Sequence, residues 1–130
     1  MPRISLLFAA LHALLLLLLT VQVVRWRYRA KVGLGDGGNA DLARQIRVHG
    51  NFIEYVPLAL LLLALLELAG LDTRALWSFG AMLLLGRLLH AFGLGRNAGP
   101  SPGRKWGMLL TWLALVGMAL AGLWLVLLRG

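Results

Sequence analysis

Four long apolar segments, separated by short polar stretches, set the limits on how this chain of 130 residues can fold. The segments cover approximately residues 4–24, 41–69, 75–94 and 104–128. About 20 consecutive apolar residues are enough for a helix to cross the hydrocarbon layer of a bilayer. Because 60% of the residues are hydrophobic and the polar ones are gathered between the segments, we predict an integral membrane protein rather than a soluble domain.

The segments predict a single domain over residues 1–130, an all-α four-helix transmembrane bundle with up-down topology. The first segment exceeds the roughly 7–15 apolar residues of a signal peptide and lacks a small-residue cleavage site, so we expect it to be retained. Asn39 or Asp41 is expected to cap the second helix. Glu67 falls near the far interface, where solvation is the default expectation. Glycine and proline predict a loop over residues 95–103.

The formal net charge of +8 does not indicate a nucleic-acid partner, because the basic residues flank the apolar segments as topology signals do. The first and third connections together hold nine Lys and Arg residues, and the opposite side holds three. The positive-inside rule therefore predicts that both of these loops are cytoplasmic and both termini are outside. The bilayer is the one partner that these features require.

Several kinds of chemistry find no support in the sequence. Cysteine is absent, which excludes disulfides, thiolate nucleophiles and thiolate metal sites. His49 and His90 are isolated from any second carboxylate or thiol at ligand spacing, so no metal site is predicted. No serine–histidine–aspartate arrangement and no phosphate-binding glycine loop is evident.

Up-down topology brings the polar ends of all four helices to one side of the membrane, and this convergence predicts a site. Read as a helix, residues 44–66 place Arg47, Asn51 and Glu54 on one face. Arg87 and His90 lie one turn apart on the third helix. The full set of candidate residues is Arg25, Arg47, Asn51, Glu54, Arg87, His90 and Arg104. The simpler alternative is that Glu54 pairs with Arg87 only to neutralise two charges at membrane depth.

The excess of cations at this side favours an anionic, amphipathic ligand. Arginines would bind carboxylates, Glu54 would bind an ammonium group, and Asn51 would bind an amide. A positive field would also favour the thiolate form of a bound thiol.

These residues carry a resemblance to a known family. The run RVHGNFIEYVP at 47–57 closely resembles the helix-two signature of the MAPEG family, the membrane-associated proteins in eicosanoid and glutathione metabolism. The sequence GRLLH at 86–90 resembles the family's helix-three signature. RKWGM at 104–108, with Thr111 and Trp112, is similar to the helix-four entry of small bacterial members. The resemblance extends over essentially the whole chain.

The resemblance implies a homotrimer that binds glutathione between subunits near the cytoplasmic face. Characterised members act as glutathione transferases, peroxidases or isomerases on lipophilic substrates. By position, Arg47, Asn51 and Glu54 match glutathione contacts on helix two. Arg25, Arg87 and His90 match family positions on helices one and three, and Arg104 matches the arginine proposed to stabilise the thiolate. Localisation in a bacterial inner membrane is expected.

Three functions remain open on these grounds. The first is a glutathione-dependent membrane enzyme of the transferase or peroxidase type. The second is a non-catalytic protein of the same scaffold with a structural role or an anionic amphiphile as ligand. The third is a small proton-coupled exporter, which the position of Glu54 near one end of its helix disfavours. Leu94 and Lys105 replace the tyrosine and serine of eicosanoid-forming members, which argues against prostaglandin or leukotriene synthesis.

Overall fold

The computed structural model describes residues 1–96 and 101–129, and these residues form four helices. They are α1 (Arg3–Ala30), α2 (Ala40–Leu68), α3 (Thr73–Arg96) and α4 (Pro102–Arg129). Each is long and apolar enough to span a membrane. The predicted all-α four-helix bundle is therefore confirmed. The middle of the loop predicted over 95–103, and the side chain of Leu94, lie outside the described part of the chain.

The first helix continues through the basic residues that follow its apolar segment and ends at Ala30. Arginine, lysine and tryptophan are tolerated in helices, so nothing in the sequence stops α1 before the glycines that begin at Gly33. Lys31 closes the helix in a left-handed conformation with φ 55°, and backbone N–H groups at this cap donate to the carbonyls of Arg27 and Tyr28.

Short polar side chains begin the other three helices. The side chain of Asn39 accepts a hydrogen bond of 2.9 Å from the Leu42 nitrogen, which confirms one of the two predicted caps of α2. Asp72 accepts from the backbone nitrogens that follow it at the start of α3. Ser101 accepts from the Arg104 nitrogen at the start of α4. These caps set where each span begins.

Packing between the helices is tightest where α3 meets α4, because glycines face each other there. A Cβ atom placed on Gly86 would lie 2.9 Å from the Gly107 carbonyl oxygen, and one on Gly107 would overlap the backbone of His90. Helix α1 packs mainly on α2, and α2 and α3 contact all the other helices. Because α1 and α4 do not touch among the described residues, the four helices form a diamond in cross-section.

A carboxylate joins the start of α1 to the end of α2. Glu67 accepts hydrogen bonds from the backbone nitrogens of Ile4 (2.9 Å) and Ser5 (2.7 Å) and from the Ser5 hydroxyl (2.5 Å). Glu67 is partly exposed, as expected near the interface, but it also accepts hydrogen bonds that the sequence did not predict. The first amide groups of a helix have no partner within it, and Glu67 supplies one from a neighbouring helix.

Apolar side chains fill the bundle in two clusters. One joins all four helices and contains Phe8, Ala59, Leu63, Leu66, Leu76, Leu83, Ala114, Met118 and Leu125. The other joins α1 to α2 and contains Leu15, Leu19, Val48, Phe52 and Val56. The second cluster adjoins the basic end of the bundle, by which we mean the end of α1, the start of α2, the end of α3 and the start of α4.

Candidate functional site

Arg87 is the centre of the polar cluster at the basic end. It lies on α3 and is 1% exposed although its guanidinium group carries a charge. Its Nη2 donates to Asn51 Oδ1 at 2.7 Å and lies 3.4 Å from His90 Nδ1. Its Nη1 lies 3.9 Å from the sulfur of Met108 on α4. No carboxylate among the described residues forms an ion pair with Arg87.

Helix geometry explains how these side chains meet. Arg87 and His90 are three residues apart, so they share one face of α3. Asn51 is 7% exposed on the inward face of α2 and reaches that face of α3. The glycine contact between α3 and α4 brings Met108 close, and Thr111 donates to the Gly107 carbonyl on its own helix at 2.8 Å. The cluster thus joins three helices through neutral partners of one buried cation.

Arg47 and Glu54 form a separate pair on the outer surface of α2. The two guanidinium Nη atoms of Arg47 each lie 3.0 Å from one Glu54 carboxylate oxygen. The side chains are 53% and 48% exposed. Two helical turns separate them on the same face, which a long arginine spans easily. The three residues predicted to share one face of α2 therefore point in two directions. Asn51 points into the bundle, and the Arg47–Glu54 ion pair points outward.

The alternative that Glu54 pairs with Arg87 is wrong. Arg87 lies inside the bundle, whereas Glu54 lies on its surface with Arg47 as its partner. Sequence spacing places both residues at the same membrane depth, but it does not say which way each side chain points across the helix. The two charges are therefore stabilised differently. Arg87 lies in a hydrogen-bonded network of neutral groups, and Glu54 forms a surface ion pair.

Arg25 and Arg104 lie at the basic end without joining the cluster directly. Arg25 is exposed near the end of α1, and Arg104 is partly buried in the first turn of α4. Among the described residues, neither side chain makes a hydrogen bond or an ion pair. The backbone of Arg104 nevertheless packs closely on Gly93, because a Cβ atom on that glycine would overlap the Arg104 nitrogen. Their roles at the site stay predictions.

Two aromatic or imidazole side chains extend the cluster toward α1. Phe52 lies beneath the guanidinium of Arg87, with 5.9 Å between Cζ and the ring centroid. His12, 1% exposed, lies 6.1 Å from the same ring, and its Nδ1 is 2.6 Å from the Phe8 carbonyl oxygen. His12 of α1 therefore packs against α2. The participation of Phe52 and Met108 was not predicted, and no polar signal in the sequence marks either residue.

The arrangement provides a buried positive charge next to a surface ion pair. A guanidinium presents its donors in a planar fork that matches a carboxylate, and desolvation strengthens such a contact. In the described residues, no three His, Cys, Asp or Glu side chains gather where a metal ion could bind. The chemistry available at the basic end is therefore recognition of an anion by arginine, with an amide and an imidazole beside it.

Comparisons with known proteins identify relatives of the chain. The sequence profile of the MAPEG family matches residues 5–124. The chain is 42% identical over 121 residues to the inner membrane protein YecN of Escherichia coli K12, which covers 93% of this chain and 91% of that protein. The same protein from Escherichia coli O6:H1 matches equally well. No solved structure matches the chain.

Proposed function

The chain belongs to the MAPEG family, and we propose that it is an inner-membrane protein that binds glutathione and uses it on lipophilic substrates. The reaction would be of the transferase or peroxidase type, with the thiolate held at the basic end of the bundle. The localisation rests on the four apolar helices and on the similar inner membrane protein of Escherichia coli.

The observation that carries the proposal is the burial of Arg87 with neutral partners only. A charged side chain at membrane depth is costly and usually marks a ligand or substrate site. Asn51 and His90 supply dipoles, but they do not neutralise the guanidinium charge. A ligand with two carboxylates and an acidic thiol, such as glutathione, supplies the negative charge that this environment favours.

The surface pair of Arg47 and Glu54 fits the same proposal. In the homotrimer that we propose, this pair faces a neighbouring subunit instead of lipid. Glu54 then binds the γ-glutamyl ammonium group and Arg47 binds a glutathione carboxylate, so that the ligand replaces one ion pair with two. Arg25 would hold the second carboxylate, and Arg104 would stabilise the thiolate.

Binding and turnover test the proposal separately. Purified protein is titrated with glutathione by calorimetry and assayed for conjugation of chloro-dinitrobenzene. Arg47→Ala and Glu54→Ala should each weaken binding by roughly tenfold or more, because each removes a hydrogen bond to a charged group. Arg74→Ala, an exposed arginine at the opposite end of the bundle, is the matched control. Absence of glutathione binding in the unmodified protein would overturn the proposal.

A non-catalytic role is the second candidate, and one observation favours it. Arg47 and Glu54 already pair with each other, and Nη2 of Arg87 already donates to Asn51 without any ligand. On this alternative, Glu54→Gln lowers the thermal stability of the oligomer, and calorimetry shows no heat with glutathione. Tight glutathione binding that is lost in Glu54→Gln would contradict it.

A further inference from the structure

We propose that a pocket at the end of α1 binds the phosphate headgroup of an anionic phospholipid. This pocket, the α1-end pocket, has a volume of about 420 Å³ and is lined by Val24, Arg27, Tyr28, Lys31, Val32 and Gly33. None of these residues is among the predicted glutathione contacts. The proposal therefore concerns a second site and does not depend on the function of the Arg87 cluster.

The depth of the pocket is that of lipid headgroups. At 1.5 Å per residue, the apolar run of residues 4–24 is roughly 31 Å long, which matches a hydrocarbon layer of about 30 Å. Arg27 and Lys31 lie three and seven residues beyond Val24, on a helix that continues unbroken to Ala30. Their backbone therefore lies roughly 5–10 Å beyond the hydrocarbon edge, where phospholipid phosphates lie.

The charge of the pocket complements a phosphate. Four Lys and Arg residues lie between positions 25 and 31, and Asp36 is the single acidic residue between positions 25 and 40. The Asp36 carboxylate accepts from the Gly38 nitrogen at 2.9 Å, within its own turn of the loop. Basic groups next to a membrane helix attract anionic lipids, and each contributes about 1 kcal/mol near the surface.

Hydrogen bonding holds one of the two cations in position. Arg27 Nη1 donates to the Gly35 carbonyl oxygen at 2.8 Å, which fixes the guanidinium against the loop and leaves its other N–H groups for a ligand. Lys31 is exposed at the left-handed residue that ends the helix. Tyr28, 81% exposed, adds a hydroxyl and an aromatic ring at the same level.

The apolar part of the lining favours a lipid over a free anion. Val24 and Val32 supply the apolar side chains of the lining, and Val24 is the last residue of the apolar run in α1. A phosphodiester with an attached acyl chain can contact the cations and these valines together, whereas inorganic phosphate contacts only the cations. A topology signal requires basic residues in this loop, but it does not require a pocket or a fixed arginine.

Retention of defined lipids by the purified protein tests the proposal. Delipidated protein in a neutral detergent is mixed with phosphatidylglycerol, with phosphatidylcholine of the same acyl chains, or with inorganic phosphate. Lipid adducts are counted by native mass spectrometry, and the melting temperature is measured in parallel. The variants are Arg27→Gln, Lys31→Gln and both together. The control is Arg3→Gln with Arg74→Gln, which removes two exposed cations from the opposite end.

We expect phosphatidylglycerol to be retained in preference to phosphatidylcholine and to raise the melting temperature. Each single substitution should weaken its retention by about fivefold, and the control by less than twofold. Lys31→Gln leaves the hydrogen bond from Arg27 to the Gly35 carbonyl in place, so the loop is expected to stay folded in that variant. Equal retention of both lipids, an unchanged double variant, or equal stabilisation by inorganic phosphate would each overturn the proposal.

Discussion

Arg87 poses the main physical problem at the scale of single residues. A guanidinium is always charged, and here it is buried among an amide, an imidazole, a thioether and an aromatic ring. Dipoles directed at a buried charge stabilise it, but removing one leaves a donor without an acceptor. The hydrogen bond from Arg87 to Asn51 is therefore the contact whose loss should matter most within one protomer.

Asn51→Ala should lower the free energy of unfolding by about 2–3 kcal/mol, because it removes the closest acceptor from a buried charge. Unfolding by a denaturing detergent, followed by circular dichroism in mixed micelles, measures the change. Asn51→Asp keeps an acceptor at the same position and should recover most of the loss. A change below about 0.5 kcal/mol for the alanine variant would show that other groups solvate Arg87 equally well.

The sequence predicted these residues better than it predicted their contacts. Arg87 and His90 are one turn apart in any α-helix, so their shared face follows from spacing alone. The partner of Glu54 does not follow from spacing, because the choice of partner depends on how α2 is rotated about its axis within the bundle. Rotation is decided by packing, and the glycines of α3 and the side chain of Phe52 contribute to it without any polar signal.

At the scale of the helices, two sets of contacts determine how neighbouring helices pack. Glu67 ties the start of α1 to the end of α2, and Gly86 with Gly107 allows α3 and α4 to approach closely. Small residues at such crossings are common in membrane proteins, where close packing rather than the hydrophobic effect drives helix association. The capping role of Glu67 cannot be read from either helix alone, because it requires the start of α1 and the end of α2 to be placed together.

Glu67→Ala should release the first turn of α1. The Ile4 and Ser5 amides would lose their acceptors, so we expect faster hydrogen exchange at residues 4–6 and about 1–2 kcal/mol lower stability. Hydrogen exchange followed by mass spectrometry in micelles measures the local effect. Glu67→Gln retains one acceptor oxygen and should show a smaller change. Unaltered exchange in the alanine variant would mean that the carboxylate is not needed as a cap.

Gly107→Ala should separate α3 from α4, because the added methyl group would overlap the backbone of His90. Overpacking of this kind costs about 1–3 kcal/mol, which detergent-induced unfolding can measure. Gly122→Ala on the same helix is the matched control, since its Cβ would lie at 3.8 Å from the nearest atom, a Leu66 methyl. That variant should have unchanged or higher stability, because alanine has a higher helix propensity than glycine. Equal losses in both would contradict the close approach.

At the scale of the whole molecule, the charge distribution makes a prediction about orientation. Six Lys and Arg residues lie between positions 25 and 47, and the terminal side of the bundle holds three. We expect alkaline phosphatase fused to the carboxyl terminus to be active in bacterial cells and green fluorescent protein at the same position to be dark. Replacing Arg25, Arg27, Arg29 and Lys31 with glutamine should reduce this bias. A fluorescent carboxyl-terminal fusion would reverse the assignment.

The hydrogen bonds between Glu67 and the start of α1 also have a consequence for the insertion of the protein into the membrane. The acceptor lies 62 and 63 residues after the amides that it serves, so most of the first two helices must be synthesised before those amides find it. Until then the leading turn depends on water or lipid headgroups for its hydrogen bonds. We therefore expect α1 and α2 to leave the translocation machinery together. The insertion of α1 into the bilayer would be complete only after α2 has been synthesised.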